Sequence, residues 1–495
     1  MRRLAVCLGK RWMSALKLCW LTVTDETDDG RGEFWIAGTP DHRVSGSLTY
    51  QRGTQPKVTL DDALVAGPTL DTHQFTEYEM TVITRPRTAE EAVASFRPVT
   101  LHGQLSNEVQ VTGLAAQNHG GDGDALGGMP DYRIRFLLVG GLVEDDTVYR
   151  TLRFQVAPSY WLPQVWAHPD SCDIDQPGIE GSLSAVVNDT GQWLVYTALH
   201  PLTLREMLDN IAAASLVFFG IAFDRKLTLA RVEVQTQDQD DWIHVVSEHA
   251  WEQPTQLRLD ALLAPESVTV PRIAAFLELH NKLDGLTEPI ATPVRGPIQV
   301  TLLANAAIVE GVHRRLWPER KRFTLPLNTS LKKVRREARA AGVRSFVDQE
   351  ICDEPTATKT LNDALGFIDD ISFVDRVRDI VNEVGAIVPE IFESVLDFDD
   401  RLVAARNELA HQLLPDPDKN ESLSDKIDRW AALNWVTPWM LRVLFLHRAG
   451  VTAMEIDHGL KGYRPFEFFQ ANTRQVATEL GWIPPAPASA GGDNH

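Results

Sequence analysis

PEIFESVLDFDDRLVAARNELAHQL, residues 389–413, decides the fold of the last third of this chain. Its apolar residues recur at helical spacing between acidic and basic ones, so the run is read as one long amphipathic helix. Pro415 and Pro417 in the following LLPDPDKNES cannot continue it. The same periodicity extends on both sides. Upstream it runs through RIAAFLELHNKL (272–283), VTLLANAAIVEGVHRRLW (300–317), SLKKVRREARAAG (330–342) and SFVDRVRDIVNEV (372–384). Downstream it returns in DKIDRWAALNWV (425–436), PWMLRVLFLHRAG (438–450) and FEFFQANTRQVATELG (466–481). Residues 271–482 are therefore expected to form an all-α domain.

The texture is different before Pro271. RVSGSLTY (43–50), EYEMTVITR (77–85), YRIRFLLVG (132–140) and TVYRTLRFQVA (147–157) partly alternate and are rich in β-branched and aromatic residues. Few helical stretches intervene, so residues 26–160 are expected to form a β-rich sandwich or barrel-like domain. Residues 161–270 read as mixed α/β, with a helix in LTLREMLDNIAAASLVFFG (202–220) and strands in LTLARVEVQTQ (227–237) and DWIHVV (241–246). The fold class is thus multidomain α+β, with the β-rich part first and a helical bundle last. HGGDGDALGGMPD (119–131) lacks the Lys-Ser/Thr of a phosphate loop and reads as a surface loop. The tail, 483–495, reads as disordered.

With 495 residues, the chain is too long for one core. Residues 1–25 open on a basic, weakly amphipathic run; a signal peptide is one reading of it, against which Lys10 and Arg11 interrupt the apolar stretch after only a few residues. Met13 is an alternative start, and 1–25 is expected to be an extension. No apolar run approaches the ~20 residues that span a bilayer. Cys7, Cys19, Cys172 and Cys352 have neither zinc nor redox spacing, which fits a reducing cytoplasm.

Arg406, Asn407 and His411 stand out at the end of the first helix quoted. A histidine of near-neutral pKa can take the proton of a ribose 2′-hydroxyl or protonate a leaving oxygen. A guanidinium can hold the phosphate and stabilise charge on its oxygens. Such chemistry calls on no cofactor and no metal. Arg-x4-His also occurs at Arg97–His102 and Arg442–His447, so the spacing alone is cheap. Arg97 precedes a proline in a β-type region, and Arg442 and His447 flank an apolar helix face. Only Arg406 combines a following Asn with the helix-end position. Residues five apart lie about 140° apart around a helix, so a symmetric dimer or fraying after Ala410 is needed to bring Arg406 and His411 together.

The net charge is −20, yet Arg314 to Arg344 holds eleven cations against Glu319 and Glu337. Arg314, Arg315, Lys332, Lys333, Arg335, Arg336 and Arg339 are the expected RNA contacts; a solvated helix face is the plainer reading. Asp397, Asp399 and Asp400 lack matching His or Cys residues and read as a polar face rather than a metal site. Glu310 reads as a buried polar partner more than as an active-site neighbour.

Arg-Asn-x-x-x-His at a helix end in an all-α region resembles the HEPN superfamily. FWIAGTPDHRVSGSLTY (34–50) looks like the opening of the ApeA-type N-terminal domain, and IVEGVHRRLW (308–317) looks like a helix of the ApeA-like HEPN domain. The resemblance implies an antiphage protein acting by abortive infection. A HEPN homodimer would cut host RNA such as tRNA, and the β-rich half would sense a phage-derived trigger. By the motif match Arg406 and His411 carry over as catalytic and Asn407 as an auxiliary polar residue. Two alternatives stand: a non-catalytic HEPN dimer that binds RNA or protein, and a β-rich half whose glycan or peptide binding is the main function.

Overall fold

The computed structural model describes residues 28–50, 54–62, 64, 72–75, 80–83, 97–119, 131–168, 170–247, 261–292, 296–323, 330–411 and 422–484. The expected extension over 1–25 lies outside the described residues, as do nearly all of loop 119–131 and tail 483–495. The chain divides into two compact units at Glu278/Leu279.

In the first unit, alternating burial produces a long antiparallel sheet. Its strands are β1 (Asp28–Ile36), β2 (Val44–Tyr50) and β3 (Lys57–Leu60), then β6 (Val99–Leu105), β7 (Gln110–Asn118), β8 (Asp131–Arg133) and β9 (Phe136–Val139). β10 (Val148–Ala157), β11 (Ser171–Ile174), β12 (Gly181–Asn188), β13 (Gly191–Thr203), β14 (Thr228–Thr236) and β15 (Ile243–Ser247) continue it. The order is β11-β12-β13-β10-β14-β15-β9-β7-β6-β1-β2-β3-β8. β4 (Thr72–Phe75) and β5 (Met80–Ile83) pair separately. Because β8 bonds both β3 and β7, the end of the sheet closes into a barrel, while the sheet as a whole takes strands from both sides of residue 160.

The barrel core holds Phe34, Leu48, Val58, Leu60, Leu101, Leu105, Val111 and Tyr132. A Cβ at Gly103 would meet the Phe34 ring at 2.6 Å, so only glycine lets β6 cross there. The single strand expected over 132–140 is two strands, β8 and β9, which take successive stretches of one edge of β7. They part at Ile134, whose N–H donates to the carbonyl of Pro56. Helix α1 (Leu204–Phe223) is the one helix among the described residues long and apolar enough to cross a membrane, and most of it is buried inside the protein. Phe218, Phe219 and Phe223 on it form an aromatic cluster with Trp161 and Phe276.

After α2 (Val270–Lys282) the second unit is helical throughout: α3 (Ile298–Leu316), α4 (Leu331–Asp348), α5 (Glu354–Gly366), α6 (Phe373–Gly385), α7 (Phe398–His411), α8 (Leu423–Arg448), α9 (Ala453–Leu460) and α10 (Arg464–Glu479). α3, α6, α7 and α8 pack against one another as a four-helix bundle. Their inward stripes are Leu302, Ala306, Val309 and Val312; Val377, Ile380 and Val384; Phe398, Leu402 and Ala405; and Leu433, Val436, Met440 and Leu444, all buried. α4 and α5 form a hairpin between α3 and α6, with Ala357 the one buried residue on the pair.

Two helical expectations are corrected. The long helix over 389–413 begins only at Phe398, because Pro389–Ile391 forms a 3-10 turn and Asp397 takes a left-handed φ of 55°. The helices over 425–436 and 438–450 are one, α8, running through Pro438. A ring there removes one backbone hydrogen bond, and burial of Val436 to Leu446 on almost every side offsets that loss.

Candidate functional site

Helix α7 places the site. Ala405 closes its inward stripe, and Arg406, about 100° further round, emerges at the shoulder of the bundle with its side chain 35% exposed. Its guanidinium lies 3.6 Å from Glu310 Oε2 on α3 and stacks 5.1 Å above the ring of Phe373, the first residue of α6. It also donates to Asn407 Oδ1 at 3.3 Å. Ser372 caps α6 by accepting from the Asp375 N–H, which fixes Phe373 beneath the arginine. The backbone stays helical through His411, so positions 406 and 411 are about 140° apart around the axis. The His411 side chain lies outside those described.

Glu310 is the hinge of a larger network. Its other oxygen, Oε1, accepts from Arg314 at 2.9 Å, one turn on. Arg314 also reaches Asp370 at 3.0 Å, and Asp370 pairs with Arg376, which is only 3% exposed. Arg376 donates to His313 Nδ1 at 3.2 Å; the His313 Nε2–H then donates to Asp379 at 3.1 Å, which Arg320 also holds at 3.0 Å. Arginine has only donors, so these partners assign the His313 proton to Nε2. The charges alternate from Arg406 through Glu310, Arg314, Asp370 and Arg376, and the chain ties α7, α3 and α6 together.

Burial pushes the His313 pKa down, and the neighbouring Arg376 adds to this against the pull of Asp379. For Asp370, burial opposes ionisation, but Arg376 and Arg314 outweigh it and hold the carboxyl below its usual range. Asp379 is held low in the same way by Arg320 and His313. All three folded-state values lie below those of the unfolded chain. The His313 contribution to stability is therefore complete above about pH 6.5 and is lost as the pH falls further, while those of the two carboxylates are lost at lower pH still. The thermal midpoint should decline on acidification below neutrality, and His313→Gln, less stable throughout, should decline less steeply. Parallel pH profiles for the two proteins would refute this.

The seven cations expected to meet RNA are not equivalent. Arg314 is held by Glu310 and Asp370, Arg315 lies 3.4 Å from Asp284, and Arg335 pairs with Asp369. Arg339 donates to Asn362, and Lys333 lies 3.9 Å from Glu337. Lys332 and Arg336 are exposed on α4. Asp399 and Asp400 face Arg378, at 2.8 Å and 3.8 Å, and among the described residues no metal-binding set of His, Cys, Asp or Glu forms. His102 is buried against the Val143 carbonyl, and Arg442 is buried against Trp439, so neither other Arg-x4-His pair forms an open site.

Sequence reasoning undervalued Glu310 and missed Phe373, Asp370 and Arg376. The four-residue step from Glu310 to Arg314 was a usable signal; the contact of α3 with residues 370–376 was not local and left none.

A four-helix bundle with an arginine at its shoulder, clasped by a carboxylate from a facing helix, defines the class of site. Residues 303–455, from α3 to the start of α9, match the family model described as Apea-like HEPN, so the chain carries an Apea-like HEPN domain, a type generally associated with ribonucleases. No curated protein and no solved structure matched the chain.

Proposed function

We propose that this protein is a metal-independent endoribonuclease that acts as a homodimer in antiphage defence. The supporting observation is the half-exposed Arg406 guanidinium, oriented by Glu310 and Phe373 at a helix end within the HEPN domain. In this reading Arg406 holds the scissile phosphate and His411 takes the proton from the ribose 2′-hydroxyl. The 2′-oxygen attacks phosphorus, the 5′-oxygen leaves with a proton, and a 2′,3′-cyclic phosphate remains. Asn407 orients the arginine. Glu310, which touches Arg406 rather than substrate, is a positioning residue. Host RNA such as tRNA is the substrate in the cytoplasm, and the β-rich unit senses a phage-derived trigger.

The angular separation of positions 406 and 411 favours a site in which Arg406 of one copy meets His411 of the other. Mixing provides the test. Arg406→Ala and His411→Ala proteins should each be inactive alone, whereas an unfolded and co-refolded equal mixture should regain about a quarter of wild-type cleavage, because half the dimers carry one intact site of two. An inactive mixture that contains heterodimers would rule out the shared site.

A further inference from the structure

We propose that the α4–α5 hairpin is a separate RNA-holding arm, and that the outward face of α4 bearing Lys332, Arg336 and Arg344 grips the phosphate backbone. The proposal rests on the ribonuclease reading and adds where, and with which cations, the substrate is held away from the reacting bond.

Burial along α4 has a clear direction. Its partly buried residues are Leu331, Arg335, Arg339, Gly342, Val343 and Phe346, which fall within about a third of the helix circumference. Within that sector Arg335 pairs with Asp369, just after the hairpin, and Arg339 donates to Asn362 on α5. Arg336 and Arg344 occupy the adjoining sector, and Lys332, in the first turn, lies at the edge of the partly buried one. All three are exposed, and no described carboxylate lies within ion-pair distance of any of them.

They extend over about 18 Å of helix at 1.5 Å per residue, long enough to follow several successive phosphates. Glu337, which faces Lys333, is the one acidic residue between Lys332 and Arg344, and the other acidic residues, Asp348, Glu350, Asp353 and Glu354, follow at or beyond the end of the helix. In a chain of net charge −20, unpaired cations along one helix sector suit a polyanion.

The rival occupant is a second copy of this chain, since Val334, Val347 and Ile351 on the hairpin are exposed as well. Charge favours RNA, and the experiment separates the two. Full-length protein carrying His411→Ala would be compared with the same protein also carrying Lys332→Gln, Arg336→Gln and Arg344→Gln. A third protein would carry Arg205→Gln, Arg464→Gln and Arg474→Gln as an equal charge change elsewhere. Binding to a fluorescein-labelled single-stranded RNA of mixed sequence is measured by anisotropy against salt, with light scattering for oligomeric state. The arm variant should bind at least ~10-fold more weakly, with its log–log salt slope smaller by about 2. The control variant should keep nearly all its affinity. Equal losses in both variants, no loss in the arm variant, or a change of oligomeric state in the arm variant alone would each overturn the proposal. Because binding is read on the His411→Ala background, the arm is tested without cleavage, and a wild-type protein that binds this RNA but leaves it uncut would count against the nuclease reading and leave the arm standing.

Discussion

Arg406→Ala is expected to slow RNA cleavage by about 10²- to 10³-fold, the usual effect of removing a preorganised donor to a developing oxyanion. The fold should barely notice. Arg406 is about a third exposed, and its partner Glu310 keeps Arg314 at 2.9 Å, so no buried charge is orphaned. Exposed ion pairs contribute only about 0–1 kcal/mol, so the melting temperature should shift by a few degrees at most. Arg406→Lys should recover a minor part of the rate, because a lysine restores the charge but not the planar two-pronged donor. Rates and melting curves on the same preparations check this. A variant that cuts at the wild-type rate would remove Arg406 from the chemistry.

Arg376→Met is expected to have the opposite signature, a large loss of stability. The guanidinium lies in the bundle interior, where it satisfies Asp370 and the Nδ1 of His313 together. Methionine would fill similar volume but leave the Nδ1 of His313 without its donor and Asp370 with Arg314 alone. Losing the donor to a buried acceptor costs about 1–3 kcal/mol, which for a unit of this size lowers the melting temperature by roughly 2–12 °C. Adding Asp370→Asn should restore a minor part of the loss, since it removes the under-compensated carboxylate but weakens the second contact of Arg314. Calorimetry of the single and double variants measures both effects. A double variant no better than the single one would show that Asp370 is not what Arg376 compensates.

The contrast between these two arginines shows which parts of the molecule were legible in the sequence. Arg406 announced itself through local context: a helical stripe ending at Ala405 and Leu409, an adjacent Asn, and prolines soon after. The helices α3, α4, α6 and α10 were readable for the same reason, since periodicity is local. α5 and α9 were passed over although each carries a start signal, Asp353 before Glu-Pro and the Thr452–Glu455 capping box. The barrel was legible as β-rich texture, but its closure depends on β8 bonding strands that lie far apart in sequence, and no local pattern encodes that. The β12–β13 hairpin escaped notice, although Gly191, with a φ of 124° at the end of an Asn-Asp-Thr-Gly turn, marks it. Arg376 looked like any charged residue on an amphipathic helix. Its role is set by Asp370 and His313, and only tertiary packing brings His313 to it.

The central claim is that Arg406 and His411 act on one phosphodiester with the ribose hydroxyl as nucleophile. The most direct measurement is the chemistry of the ends left on RNA by purified protein in EDTA, for the wild type and for Arg406→Ala and His411→Ala. The account predicts 2′,3′-cyclic phosphate on the upstream fragments and 5′-hydroxyl on the downstream ones, with both products absent from the two variants. Ends bearing 5′-phosphate, or unchanged products from either variant, would contradict it.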